Sequence, residues 1–249
     1  MAKMNGIVKI EGTIDDLTFY KKDGATYVRK KSSVSKERIL NDPNFVRTRE
    51  NNHEFSHNVS QAKMLRMAMG SLTFKAKDAN LSSRLMQTMS RIKNLDTASA
   101  RGERQVHLGL ATAEGKNLLK GFDFNNKAPL QGVLFAPYAL DTATGSIRFT
   151  SLLPAEQLHA PQAATHVSFQ AAVLLLDFET GDSSISYSGV SNFAINLTPQ
   201  SFVLTPAAVP TGAGRTFFLL HLSFYQEVNG LQYSLKNEEY NVLHIVEVI

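Results

Sequence analysis

Long apolar segments with the composition of β-strands dominate the second half of the chain, and they constrain the fold more than any other feature. Three of them cover residues 166–178, 216–225 and 240–249, and all contain β-branched or aromatic residues at short intervals. Such residues favour pleated, buried strands. Turn signals rich in glycine separate most of these segments, as they do in antiparallel sheets. This half therefore predicts an antiparallel β-sandwich.

The turn signals divide this half into eight expected strands. The pair Asn229-Gly230 is typical of a two-residue hairpin turn. We expect strands near residues 131–138, 145–150, 165–178, 184–196, 200–205, 215–228, 231–236 and 240–248.

The first residues predict a small β-meander of three strands over residues 6–31. Gly6 and Gly12 bracket the first strand, and Asp23-Gly24 forms a hairpin signal between the second and the third. A sheet of this size is marginal alone. We therefore expect it to dock on the rest of the chain or on a neighbouring copy.

A helical pattern follows the meander. Asp42-Pro43 is a good helix start, and the helix is expected to end before Gly70. Two further helices are expected over residues 78–95 and around residues 113–119. The sequence predicts an α+β chain in which the N-terminal meander and a helical region precede the antiparallel β-sandwich. Its expected parts are an arm over residues 1–34, a helical region over residues 35–125 and a β-sandwich domain over residues 126–249.

Charge is distributed unevenly along the chain. Residues 1–120 hold 22 Lys and Arg against 12 Asp and Glu, whereas residues 121–249 hold 4 against 10, so the two parts carry +10 and −6. The basic part has two functional interpretations, a polyanion or the acidic part of the next identical subunit as its partner. The third interpretation is two solvated faces without a partner.

Composition excludes several classes of protein. The chain has no cysteine, which rules out disulfides and thiol catalysis and fits a cytoplasmic protein. No apolar stretch reaches the roughly 18–20 residues that span a bilayer, so we expect no membrane partner. Neither a phosphate-binding loop nor a dinucleotide fingerprint is present. We therefore expect no cofactor and no enzymatic activity.

One motif is typical of enzymes, the zinc-protease pattern His53-Glu54-Phe55-Ser56-His57. On a helical wheel both histidines lie opposite the expected apolar face, which includes Phe55, Val59, Ala62 and Met69. They would therefore face solvent unless another layer covers them. No downstream residue supplies the usual third ligand, because the next Glu is Glu103. We therefore expect surface histidines and no metal site.

Several motifs in the first part of the chain resemble a bacterial family of unknown function. They are Gly6-x-x-x-Ile10-x-Gly12, residues 16–20, residues 27–31 and the Arg47-Thr-Arg-Glu-Asn-x-x-Glu54-Phe55 segment. The resemblance covers residues 6–105 best. It implies an N-terminal glycine-framed hairpin, Arg-rich helices and a C-terminal β-domain. It also implies a phage-related or filament-forming structural protein, without any implied site residue.

The leading hypothesis is a structural subunit that self-assembles into a filament, tube or virion-like particle through its N-terminal arm, with other copies of itself as partners. The alternative is a nucleic-acid-associated protein that uses the basic N-terminal half. A zinc hydrolase that uses His53, Glu54 and His57 is disfavoured. The expected assembly interface consists of Ile7, Ile10, Leu17, Phe19, Tyr20, Lys21, Lys22, Tyr27, Val28, Arg29, Lys30 and Lys31.

Overall fold

The computed structural model describes residues 2–4, 10–31, 34–235 and 240–249, with residues 2–4 described by their backbone alone. The fold is α+β, with strands and helices ahead of several antiparallel sheets, so the predicted fold class is confirmed. The chain divides into two compact units, Met1–Asn51 and Asn52–Ile249.

The first unit contains a four-stranded antiparallel sheet with the order β1-β4-β3-β2. Asp23 and Gly24 have φ angles of 51° and 76°. A left-handed φ at both central positions is the signature of the type I′ hairpin turn, so this predicted turn is confirmed. The strands are β1 (Ala2–Met4), β2 (Gly12–Ile14), β3 (Leu17–Lys22) and β4 (Ala25–Lys30).

Within residues 6–31 the described strands are β2, β3 and β4, and β1, which precedes this range, adds a fourth strand at the free edge of β4. The expected first strand over residues 6–12 falls largely outside the described residues, and β2 begins at Gly12. Local alternation identifies a strand but not the edge that it joins, since pairing depends on residues more than 20 positions away.

A helical segment follows the sheet. It begins with α1 (Lys36–Asn41) and a 3₁₀ turn over Pro43–Phe45 that is capped by the Asp42 carboxylate. The long helix α2 (Val46–Ala68) follows directly. The predicted Asp-Pro start and the end before Gly70 are therefore confirmed.

The described residues of the second unit contain six further helices. The helix expected over residues 78–95 is α4, and its apolar residues Leu81, Leu85, Met89 and Ile92 are buried. The helix expected at residues 113–119 is α6. The six are α3 (Ser71–Lys75), α4 (Leu81–Lys93), α5 (Val106–Leu110), α6 (Ala113–Leu119), α7 (Leu130–Val133) and α8 (Pro154–Gln157).

The strand expected near residues 131–138 is absent, and one helical turn, α7, occupies the start of this segment. Pro129 precedes the turn, and its carbonyl accepts a 3.0 Å hydrogen bond from the Gly132 N–H. Val133 and Leu134 are buried. A short apolar run does not distinguish a buried strand from a buried turn, which explains the wrong prediction.

Nine strands among the described residues of the second unit form two antiparallel sheets. In the larger sheet β7 pairs with β8, β9 and β11, and β11 also pairs with β12 and β13. The smaller sheet has the order β10-β6-β5. The strands are β5 (Ala139–Asp141), β6 (Ser146–Leu152), β7 (His166–Leu176), β8 (Ser183–Tyr187), β9 (Ser191–Ala194), β10 (Gln200–Leu204), β11 (Arg215–Val228), β12 (Leu231–Ser234) and β13 (Val242–Val248).

The larger sheet is covered on both faces. Val167 and Phe169 of β7 pack with Phe149 of the smaller sheet, which makes the predicted sandwich. Leu174 and Leu176 of the same strand pack against the helices. Because both faces are buried, residues 171–176 of β7 and residues 217–220 of β11 are apolar runs without polar alternation.

Candidate interaction surface on the N-terminal sheet

The strand register of the N-terminal sheet decides which predicted interface residues lie together. Phe19 lies opposite Val28, and Tyr20 lies opposite Tyr27. Successive side chains of a strand point to opposite faces. The residues that the sequence combined into one interface are therefore divided between two faces.

The first face, here called the apolar face, consists of Ile14, Leu17, Phe19 and Val28. Ile14 is 51% exposed and its strand partner Leu17 is 45% exposed, while the other two are half-buried. Among residues 10–31, Thr26 is the single buried residue. Most apolar side chains of this sheet thus retain surface that another molecule can cover.

The second face, here called the aromatic face, consists of Tyr20, Tyr27 and Arg29. The two rings are stacked with centroids 5.8 Å apart. The guanidinium of Arg29 lies 5.6 Å from the centroid of the Tyr20 ring, within cation–π range. This face combines planar groups with positive charge.

The predicted lysines surround both faces and are exposed. Lys21 and Lys30 share the apolar face by register, and Lys22 shares the aromatic face. Lys31 follows β4, and its backbone N–H donates a 2.6 Å hydrogen bond to the Asp16 carbonyl. Each face is therefore rimmed by cations.

Two of the predicted residues lie outside this pattern. Ile10 is half-buried and precedes β2, and Ile7 lies outside the described residues. Sequence reasoning missed Ile14, the most exposed member of the apolar face, because the first strand was expected to end at Gly12. The alternation of Gly12, Thr13 and Ile14 before the Asp15-Asp16 turn is the sequence pattern that predicts a strand reaching Ile14.

The zinc-protease motif lies on α2, and its expected exposure was wrong in part. The structure places His53 at the surface, with Nδ1 2.5 Å from the Gly102 carbonyl oxygen. His57 is half-buried, and its Nε2 accepts a 3.1 Å hydrogen bond from the Val106 N–H. The loop between α4 and α5 is the layer that covers this side of the helix.

Glu54 is 4% exposed and forms the centre of a buried polar network. Its carboxylate accepts hydrogen bonds from the Lys93 ammonium, the Arg104 guanidinium and the Gly102 N–H. Burial alone raises the pKa of Glu54, but these donors outweigh burial and lower the pKa to about 2. A carboxylate with this pKa and these donors is a poor base for activating water.

The two histidines are also engaged in ways that do not suit zinc. Since Nε2 of His57 accepts a backbone hydrogen bond, its lone pair is already used. Burial lowers the pKa of His57, and the nearby His107 and His53 add to this effect. Over the described part of the chain, no group of three or more His, Cys, Asp and Glu side chains is arranged to hold a metal ion.

The helical-wheel prediction for α2 was right for Ala62 and Met69, which are buried, and wrong for Phe55 and Val59, because much of the buried face of this helix is polar. Glu54, Asn58 and Gln61 are buried, whereas Phe55 is 53% exposed and Val59 is 42% exposed. Apolar periodicity locates a core-facing stripe only when apolar side chains fill it. Here Lys93 and Arg104 supply the partners that make a charged residue stable inside.

Comparisons of the chain with protein-family models, with curated proteins and with solved structures return no match. Of the helices in the described ranges, none is both long enough and apolar enough to cross a bilayer.

Proposed function

We propose that the chain is a non-enzymatic structural subunit that self-assembles in the cytoplasm into a filament, tube or virion-like particle. The N-terminal sheet is the arm that contacts the next copy. The exposure of Ile14 and Leu17 on the same face as Phe19 and Val28 carries this proposal.

Burial of this face supplies a driving force for association. Full burial of a Leu or Ile side chain is worth about 1.5–3 kcal/mol. Ile14 and Leu17 are each about half exposed, so covering them yields roughly 1 kcal/mol per residue. The half-buried Phe19 and Val28 add to this amount.

Charge favours a second copy as the molecule that covers the face. Lys21 and Lys30 share the face with the apolar side chains, and residues 121–249 carry a net charge of −6. Contact between the basic arm of one copy and the acidic residues 121–249 of the next joins two different surfaces of the same chain. Such a heterologous contact repeats from copy to copy and gives an open helical polymer unless it closes into a ring.

The test compares two double variants of the same strand pair. Ile14→Ser with Leu17→Ser removes apolar surface from the apolar face. Thr13→Ser with Thr18→Ser changes the opposite face and retains the two hydroxyls, which lie 3.2 Å apart. Wild type and the control are expected to form polymers in negative-stain images and in light scattering.

The Ile14→Ser, Leu17→Ser protein is expected to lose about 2 kcal/mol per contact, which is roughly thirtyfold in the association constant. Higher salt is expected to weaken the wild-type polymer, since the basic arm meets an acidic surface. A wild-type protein that remains monomeric at high concentration in low salt would disprove the proposal. Equal polymerisation by both double variants would show that the apolar face is not the contact surface of the polymer.

A further inference from the structure

The aromatic face of the N-terminal sheet carries a row of planar groups that self-assembly does not use. The rings of Tyr20 and Tyr27 are stacked at an interplanar angle of 26°, and the Arg29 guanidinium lies over the Tyr20 ring. Both rings are half-buried and so keep part of their surface accessible. Stacked aromatic side chains with an adjacent cation form a platform on which a nucleobase stacks regardless of its sequence.

A basic pocket of about 480 Å³ adjoins this row within the same unit. Arg29 and Thr18 belong to the sheet, and Lys36 and Ser35 come from the segment that starts α1. Lys30 and Lys31 complete the cations of the lining, and none of the described lining residues is acidic. Four cations with two hydroxyls and no carboxylate favour a phosphate group.

We propose that this face binds single-stranded nucleic acid, with a backbone phosphate in the basic pocket and a base on the Tyr20–Tyr27 row. Arg29 belongs to both features, so a phosphate and its base are recognised next to each other. An acidic peptide can form ion pairs with these cations, but its carboxylate side chains have no aromatic ring that stacks on the tyrosines. A duplex offers phosphates but hides the faces of its bases in the stack.

The site shares Lys30 with the surface assigned to self-assembly but otherwise uses different side chains. Side chains of the aromatic face point away from the apolar face, because the two sets alternate along β3 and β4. A monomeric protein is therefore expected to bind nucleic acid as well, and a polymer is expected to present many copies of the site.

The experiment measures binding of a fluorescent oligothymidylate of about 15 nucleotides by anisotropy over a series of salt concentrations. The test variant is Lys31→Gln with Lys36→Gln, two exposed pocket lysines outside the strands. Both lysines line the pocket of one phosphate, so losing its neutralisation is expected to reduce the slope of log K against log salt by about 0.7, the value for one phosphate on a single strand. The control, Lys63→Gln with Lys77→Gln, removes the same charge from exposed positions of the second unit and is expected to retain the wild-type slope.

A second measurement tests the rings. Tyr27→Leu is expected to weaken binding about tenfold at constant salt while the salt slope remains unchanged, because stacking involves no counterion. No binding of the oligonucleotide at low salt would overturn the proposal. An equal loss of slope in the control would show that the oligonucleotide is attracted to basic protein surface in general. Equal competition by a duplex or by polyglutamate would show that no base stacks on the rings. Either result would also overturn the proposal.

Discussion

Replacing Glu54 by Gln tests whether the zinc-protease motif of α2 is a structural element. The substitution keeps the shape of the side chain and removes its charge. Lys93 is 5% exposed and hydrogen-bonds the carboxylate. The substitution therefore leaves a buried ammonium without its counter-charge.

Two independent lines of reasoning give the size of the effect. Removing one partner of a buried ion pair costs about 3–5 kcal/mol. The pKa of Glu54 is lowered from 4.5 to about 2, which corresponds to about 3 kcal/mol at 1.36 kcal/mol per unit. For a chain of this size, a loss of 3 kcal/mol shifts the melting temperature by roughly 6–12 °C.

The assay is thermal and urea unfolding followed by circular dichroism, with hydrogen exchange of the loop between α4 and α5. In Glu54→Gln the Gly102 amide, which donates a 2.8 Å hydrogen bond to this carboxylate, is expected to exchange faster. Glu103→Gln is the matched control, because Glu103 is exposed and belongs to the same loop. It is expected to change the melting temperature by less than about 2 °C.

A Glu54→Gln protein with the same melting temperature as wild type would refute this reasoning. A metalloprotease base predicts the opposite combination, with unchanged stability and a lost hydrolytic activity. Bound zinc in stoichiometric amount in the purified protein would support that alternative.

Two further predictions concern the core of the second unit. Burial, followed by the nearby charge of Lys75, lowers the pKa of His221 to about 3 from 6.5. The unfolded chain takes up this proton first, so stability is complete above pH 6.5 and is expected to fall by about 1.4 kcal/mol per pH unit towards pH 3. Urea unfolding of His221→Gln between pH 7 and 5 should show a flatter dependence, and an unchanged dependence contradicts this assignment. Gly109→Ala is expected to cost at least about 2 kcal/mol, because the new Cβ would lie 2.0 Å from the Ile92 carbonyl oxygen; Gly189→Ala, with no atom within 4 Å, is the control and should unfold with wild type.

The candidate surface shows how far local sequence information reaches. Alternation and the Asp23-Gly24 turn predicted the hairpin of β3 and β4, which carries most residues of the candidate surface. The predicted strand boundaries before this hairpin were displaced, so Ile14 was missed. The role of β1 as a fourth strand needed the pairing itself, because an edge strand contacts residues more than 20 positions away.

The sequence by itself determined the fold class, both two-residue hairpin turns and the start of α2, because turn chemistry and capping act between residues a few positions apart. The structure confirms the Asn229-Gly230 turn between β11 and β12 in the same way as the first hairpin. Only the tertiary structure decided which face of α2 is buried. Glu54 is stable inside because Lys93 and Arg104, 39 and 50 residues further along the chain, neutralise and hydrogen-bond it. No helical wheel contains that information, since the free energy of burying a charge depends on partners that the fold brings to it.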